Sequence, residues 1–215
     1  MKNVYAQSGS AMKLMLAGGI ASAPLFFAVS IIQTFTRTGF DIRRHAISNL
    51  TLGELGWIQS VNFMITGLLA ILAALGIRSA LRGGKGGAWG PLFIGIYGLG
   101  MIIAGIFRPD PGMSFPPGAP TDMPASMSSE AALHSMAFFT AFICLVAASF
   151  VIARRFAAQG DRGFRTYSLA TGIIAPLLIM VGMSMNTWIG VIMGIAGMVA
   201  FGWVSALAAR LHKLA

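Results

Sequence analysis

The chain of 215 residues is 56% hydrophobic and only 10% charged, and its mean hydropathy is +0.79. This composition excludes an ordinary soluble domain, and the net charge of +9 does not indicate nucleic-acid binding, because the basic residues are scattered over short loops. The single cysteine, Cys144, excludes an intramolecular disulfide and a cysteine-ligated cluster.

Six apolar runs follow one another along the chain, and each is about as long as a membrane-spanning helix. The first run continues well beyond Ala21-Ser22-Ala23, which is too far for the apolar core of a cleaved signal peptide. We therefore predict one all-α domain over residues 1–215. It is a bundle of six transmembrane helices at about 14–35, 57–77, 91–107, 134–152, 168–185 and 188–209.

Two of these helices carry patterns that indicate contacts with their neighbours. On the second helix Gln59, Asn62 and Thr66 recur at spacings of three and four, so they form one polar stripe that should face the bundle interior. The third helix has glycines at positions 95, 98, 100 and 105. Small residues let membrane helices approach closely, so we expect this helix to pack tightly against others.

The most polar stretch of the chain, Phe40–Leu50, joins the first two helices. Its polar side chains are those of Asp41, Arg43, Arg44, His45, Ser48 and Asn49. Asp41 and His45 are four residues apart, so on a helix they would share one face. So many hydrogen-bonding groups in a chain this apolar indicate a binding site or a site of chemistry.

A second polar group lies far away in sequence, around the loop from Arg108 to about Leu133. The loop begins Arg108-Pro109-Asp110-Pro111, and its prolines exclude a regular helix over the first half. Ser128 or Ser129 is expected to cap the fourth helix, with Glu130 in its first turn. His134 then lies close to the start of that helix.

The distribution of charge predicts which end of the bundle faces the cytoplasm. With six helices, both termini and the loops near residues 78–90 and 153–167 share one side, which holds most of the basic residues and one acid, Asp161. Cytoplasmic loops are rich in Lys and Arg, so we predict a plasma (inner) membrane protein with both termini in the cytoplasm. Both polar groups then lie together on the outer face.

One hypothesis for this outer site is metal-dependent hydrolysis. Asp41, His45, Asp110 and His134 together offer two histidines and two carboxylates, which could hold Zn or a similar divalent ion. Such an ion would activate a bound water to cut an ester or amide of a lipid. The pattern is not specific, because no pair has a recognised zinc-hydrolase spacing such as His-Glu-x-x-His.

The hypothesis that we favour is recognition of an anionic lipid or another amphiphile. Guanidinium groups bind phosphate and carboxylate well, and membrane lipids are the available ligands, so this function needs no cofactor. The expected donors are Arg43, Arg44, Arg108, Asn49, Gln59 and Asn62, with Ser48 nearby. No Gly-x-Ser-x-Gly elbow surrounds Ser48, so a nucleophilic serine paired with His45 is poorly supported.

A structural role for the same residues is the third hypothesis. His134 could bond a loop carbonyl, Asp41 could pair with the neighbouring arginines, and Asp110 could pair with Arg108. The protein would then be a homo-oligomer or a non-catalytic subunit of a membrane assembly. A transporter is less well supported, because the predicted helices contain no chain of buried acids that could relay protons.

The ordered set of motifs resembles a known family. The segments that carry the resemblance are Phe40–Leu50, Gly56–Gln59, Asn62-Phe63, Gly105–Pro111, Phe115–Gly118 and Leu133-His134. They are similar to those of the bacterial and archaeal membrane proteins grouped as domain of unknown function 998. The resemblance covers nearly the whole chain and implies a six-helix integral membrane protein, but it implies no particular activity.

Overall fold

The computed structural model describes residues 2–84, 86–185 and 187–214, and these residues form helices and loops without a β-strand. A short 3₁₀ helix, Ile47–Thr51, lies between the first two α-helices. The six α-helices are α1 (Lys2–Thr36), α2 (Gly56–Ala80), α3 (Trp89–Ile106), α4 (Ser129–Ala158), α5 (Arg162–Ser184) and α6 (Ile189–Leu214).

All six helices are long and apolar enough to cross a membrane, which confirms the predicted number of spans. In α1 the apolar segment is Gly9–Thr36. Large apolar side chains point outward from the bundle, among them Phe35 and Ile143. Lipid is the natural surrounding for such a surface, so the chain is a multi-pass membrane protein.

Several helices are longer than the apolar runs predicted. Helix α4 covers Ser129–Ala158, whereas the prediction was 134–152, and α6 continues to Leu214. Apolar runs mark the part of a helix that lies in lipid, and good helix formers such as Arg extend the helix beyond it. Ser128 caps α4 as predicted, since its hydroxyl accepts a hydrogen bond from the amide of Ala131 at 3.1 Å.

The six helices form a closed ring. Each helix packs against the next one in sequence, and α6 packs against α1. At this closure a Cβ atom added to Gly19 would collide with both Ala73 of α2 and Ala208 of α6. The hydroxyl of Ser205 also donates a hydrogen bond to the carbonyl of Gly19 at 2.9 Å. A space inside the ring is bordered by residues of every helix.

The backbones of α2 and α3 lie close together. A Cβ atom on Gly98 would lie 2.6 Å from the carbonyl oxygen of Gly67, and one on Gly67 would collide with the carbonyl of Gly98. Gly105 is equally confined, 2.7 Å from the carbonyl of Ser60. The glycines of α3 therefore serve close packing, as the sequence predicted, with the exception of the more open Gly95.

Candidate functional site

His45 joins the two long loops at one end of the bundle, residues 37–55 and 107–128. Its Nδ1 accepts a hydrogen bond from the amide of Asp41 at 2.9 Å. Its Nε2 lies 3.0 Å from the carbonyl oxygen of Met113, so Nε2 carries the hydrogen and donates it. The ring is only 3% exposed and packs between Phe40 and Phe115. Both ring nitrogens are therefore committed to the backbone.

Asp41 pairs with Arg43 at the surface. The guanidinium contacts the carboxylate through two hydrogen bonds, from Nε to Oδ1 at 3.1 Å and from an η-nitrogen to Oδ2 at 2.9 Å. These bonds hold the pKa of the Asp41 carboxyl below its ordinary value. The Arg43 side chain remains 61% exposed, so the pair contributes little to stability.

Arg37 has a more central position than Arg43, although its sequence context did not single it out. Its guanidinium donates to the carbonyls of Leu50, at 2.9 Å, and of Leu52, so it holds the 3₁₀ helix against the end of α1. It also lies over the ring of Phe115, 5.6 Å from the centroid. Burial lowers the pKa of Arg37 from its ordinary value, yet a guanidinium stays cationic at neutral pH.

The polar stripe of α2 meets a matching stripe on α1. The amide of Gln33 donates to Oε1 of Gln59 at 2.7 Å, and the amide of Gln59 donates to the hydroxyl of Ser30 at 3.0 Å. Asn62 donates to the carbonyl of Phe26 at 3.0 Å. These groups are buried, as predicted for the stripe, and they bond one helix to the other.

The residues of the second polar group are also engaged. Nε of Arg108 lies 3.2 Å from Oε1 of Glu130, and Oδ2 of Asp110 accepts from the amide of Ser128 at 2.9 Å. The structural hypothesis offered a pair of Arg108 with Asp110 instead. Glu130 takes that place because it lies in the first turn of α4, beside the loop. The two carboxylates thus fix the start of α4 against residues 108–110.

The structure therefore does not gather the predicted donors around one ligand. Gln59 and Asn62 bond α1 to α2, and Arg43 and Arg108 each have a carboxylate partner. Arg44 and Asn49 have side chains for which no hydrogen bond or ion pair is found within the described residues. Among the residues that the structure describes, no group of three or more His, Cys, Asp and Glu side chains could hold a metal ion. The zinc site stays a prediction.

A different site lies at the centre of the ring, where a cavity of about 490 Å³ is bordered by all six helices. Its volume is typical of small-molecule sites. Aromatic and methionine side chains dominate its wall, and no charged side chain belongs to the wall within the described residues. The aromatic and methionine side chains that the helices contribute to the wall are Phe26, Phe27, Phe63, Tyr97, Met101, Phe138, Phe139, Phe142, Met183, Met193 and Phe201.

Both long loops contribute to the same cavity. Ser48, a predicted site residue, lines it together with Ala46 and Ile47, and the second loop adds Pro109, Met123 and Met127. The lining side chains that are also well exposed are those of Met123, Met127, Phe139 and Met183. They mark a mouth at the loop end, between the start of α4 and the end of α5.

His134 is the predicted site residue with the clearest access to this cavity. The side chain is only 6% exposed and lines the cavity wall. Its Nδ1 lies 3.0 Å from the carbonyl of Ala104 and 2.9 Å from that of Phe107, at the end of α3. No hydrogen bond to Nε2 is found anywhere in residues 2–84, 86–185 and 187–214. One nitrogen therefore fixes the ring and the other is available.

Sequence reasoning missed most of the cavity wall. Tyr97 is 2% exposed and borders the cavity, but a single tyrosine in an apolar run resembles any packed residue. Methionine content is the one signal that was present, since Met123 and Met127 stand in a polar, proline-rich loop. Flexible methionines are common at binding surfaces that must adapt to a ligand.

Of three comparisons with known proteins, one gives a match. No curated protein matches the chain, and no solved structure matches it. A family model described as Protein of unknown function (DUF998) matches residues 20–210, which include α2 to α6 almost completely, both long loops and the residues of the central cavity. On this match, the chain belongs to the DUF998 family of proteins of unknown function.

Proposed function

We propose that the protein binds a membrane amphiphile and takes its apolar body into the central cavity. The observation that carries this proposal is the cavity itself, a space of about 490 Å³ walled by aromatic and methionine side chains. A water-filled space with such a wall would be unfavourable, whereas an alkyl or ring system would bury apolar surface at roughly 25 cal/mol per Å².

The position of the mouth supports a ligand that comes from the membrane. Met127 and Phe139 lie at the mouth and are exposed, as is Met183 at the end of α5. These side chains offer an apolar route from the surrounding lipid to the cavity. The charge asymmetry supports an orientation with this end outside the cytoplasm, and in that orientation the ligand would enter from the outer leaflet.

If the ligand has an anionic head group, we propose that this group binds at the protein surface beside the cavity and not inside it. Arg43, Arg44 and Arg108 do not line the cavity, and Arg44 is the one of the three without an ion-pair partner within the described residues. Replacing Arg44 with alanine should then reduce retention of phosphatidylglycerol and leave that of phosphatidylcholine unchanged. Equal retention of both lipids by the parent would contradict an anionic preference.

Photo-crosslinking with a filled-cavity variant tests the main proposal. The probe is a C16 alcohol with a diazirine in the middle of its chain, added to membranes that contain the protein. Gly194→Phe should fill the cavity, because Gly194 lines it and its Cβ would meet only the end of the Ile47 side chain, at 3.3 Å. Gly202→Phe on the same helix is the matched control, since its Cβ would have no neighbour within 4 Å.

We expect labelling of cavity residues such as Phe138 and Phe142 in the parent and in Gly202→Phe, with loss in Gly194→Phe. Labelling that is confined to outward residues such as Ile143, or that Gly194→Phe does not change, would refute cavity binding. Zinc measured in the same preparation tests the alternative of a metal-dependent hydrolase. A co-purifying partner protein would instead favour the structural-subunit alternative.

A further inference from the structure

We infer that the ligand places an uncharged hydroxyl group against Nε2 of His134, so that the substrate class is an alcohol on an apolar skeleton. The inference rests on the proposed function and specifies the chemistry of the ligand. It starts from His134, a buried side chain of the cavity wall. Hydrogen bonds fix the orientation of its ring, and one ring nitrogen has no partner among the described residues.

The hydrogen bonds of His134 determine which ring nitrogen is free. Its Nδ1 lies 3.0 Å from the carbonyl oxygen of Ala104 and 2.9 Å from that of Phe107. Carbonyl oxygens only accept hydrogen bonds, so Nδ1 carries the hydrogen. In the neutral imidazole Nε2 then presents a lone pair, and no described residue donates to it. The cavity thus offers a fixed acceptor in an apolar wall.

This acceptor selects among the polar groups of membrane amphiphiles. Carboxylates, phosphate diesters, ketones and ethers have no hydrogen to donate, so their oxygens would face the lone pair of Nε2 unfavourably. An ammonium group has hydrogens, but no carboxylate lines the cavity within the described part of the chain, and a buried charge without a partner is costly. A hydroxyl group donates one hydrogen bond and carries no charge, and unlike an amide it brings no carbonyl oxygen that would need a further buried partner.

The depth of His134 fits this assignment. His134 lies in the second turn of α4, close to the exposed residue Met127 and to Pro109 of the second loop, both of which line the cavity. The hydroxyl would therefore lie near the mouth, with the apolar skeleton extending toward the middle of the ring. Tyr97 stands seven residues before Ala104 on α3, about 10 Å deeper, and its hydroxyl provides a comparison with His134.

A competition experiment with matched ligands tests the inference. Hexadecanol, its methyl ether 1-methoxyhexadecane and palmitate compete with the photoactivatable C16 alcohol for the full chain in membranes. One hydrogen bond is worth about 0.5–1.5 kcal/mol net, so hexadecanol should compete about two- to twelvefold better than the ether. Palmitate should compete less well than hexadecanol.

His134→Asn separates the role of Nε2 from the structural role of Nδ1. The asparagine amide reaches about as far as Nδ1 and can still donate to the carbonyls of Ala104 and Phe107, but it has no group at the Nε2 position. We expect the preference for alcohol over ether to fall to about one, with the affinity for the ether unchanged. Tyr97→Phe, which removes a buried hydroxyl of the cavity wall and leaves His134 intact, should keep the preference. Equal unfolding temperatures verify that both variants fold.

Each outcome is decisive. Equal competition by alcohol and ether in the parent, with binding still blocked by Gly194→Phe, refutes the hydroxyl inference and leaves the proposed function standing. A preference that survives in His134→Asn, or stronger competition by palmitate, also refutes the inference. If no ligand binds in a way that Gly194→Phe blocks, the proposed function is refuted, and this inference with it.

Discussion

Nε2 of His45 donates a hydrogen bond to the carbonyl oxygen of Met113 at 3.0 Å, although the two residues are 68 positions apart in the chain. The contact ties the loop after α1 to the loop after α3, and both loops line the central cavity. A histidine that sequence reasoning selected for metal chemistry thus holds together two loops that line the cavity.

Replacing His45 should weaken this end of the bundle. His45→Ala removes two hydrogen bonds and the packing against Phe40 and Phe115, so we expect a loss of about 2–3 kcal/mol in the free energy of unfolding. Unfolding in mixed detergent measures the change. Arg44→Ala is the control, because Arg44 is exposed, and it should change stability by less than about 0.5 kcal/mol. Similar stabilities of the two variants would contradict the role of His45.

Arg37→Lys should also destabilise the protein, although the charge is kept. A lysine ammonium cannot reach the carbonyls of Leu50 and Leu52 with the fixed fork that the guanidinium offers. We expect a loss of about 1–2 kcal/mol, measured in the same unfolding assay. The matched change Arg43→Lys affects an exposed ion pair and should stay near zero. A neutral Arg37→Lys would show that the loop does not depend on these bonds.

The contact between α2 and α3 predicts opposite effects for two alanine substitutions. Gly67→Ala places a methyl group against the backbone of Gly98, and only a separation of the helices can relieve this clash. We therefore expect the free energy of unfolding to fall by about 1–3 kcal/mol. Gly95→Ala on α3 has its nearest neighbour, the Ala74 methyl, at 3.8 Å. It should be neutral or slightly stabilising, because alanine is the better helix former. Equal effects would argue against the close approach.

Cysteine labelling in intact cells measures the orientation in the membrane. Thr121→Cys and Gln159→Cys place exposed thiols at opposite ends of the bundle. From the excess of Lys and Arg at the end that holds Gln159, we expect an impermeant maleimide to label the first variant and not the second. The parent, which has Cys144 within α4, gives the background. The reverse pattern would invert the topology and place the mouth at the cytoplasmic leaflet.

The pair of Asp41 and Arg43 predicts a small dependence of stability on acid. Hydrogen bonds from Arg43 lower the pKa of Asp41 in the folded state, so the stabilisation is present above the unfolded pKa and is lost as pH falls through the lower, folded pKa. Comparing the parent with Arg43→Ala between pH 6 and pH 2, we expect a small difference in stability that begins to fall near the unfolded pKa of about 4 and is lost below the folded pKa of Asp41. If the difference in stability persists at the lowest pH, it comes from packing of the Arg43 stem and not from the ion pair.

The number of spans and the inward stripe on α2 could be predicted because both are periodic features of single segments. The partners of that stripe, Ser30 and Gln33, could not, because the choice of partner depends on how α1 is rotated. The same limit explains the histidines. Sequence places His45 and His134 in polar surroundings, but whether a ring nitrogen meets a carbonyl, as at Met113 or Ala104, or an open space depends on contacts between distant loops and helices.

The cavity shows the limit most clearly. Phe142 lines it and Ile143 faces outward, yet both are ordinary residues of an apolar helix in the sequence. An apolar side chain avoids water, and in a membrane bundle it does so whether it points inward to the other helices or outward to the lipid. An internal void leaves no pattern of its own in a single chain, because it depends on the combined shape of six surfaces.

Closure of the ring by α6 has a consequence for biogenesis. While the first five helices are already in the membrane, the surface of α1 around Gly19 and Ser22 still faces lipid, because its partner Ser205 has not yet been inserted. A ligand-sized interior comes into existence only with the last helix. Occupancy of that interior would then report that insertion has been completed, and a nascent chain that lacks α6 would be unable to retain the ligand, however well its earlier helices had formed.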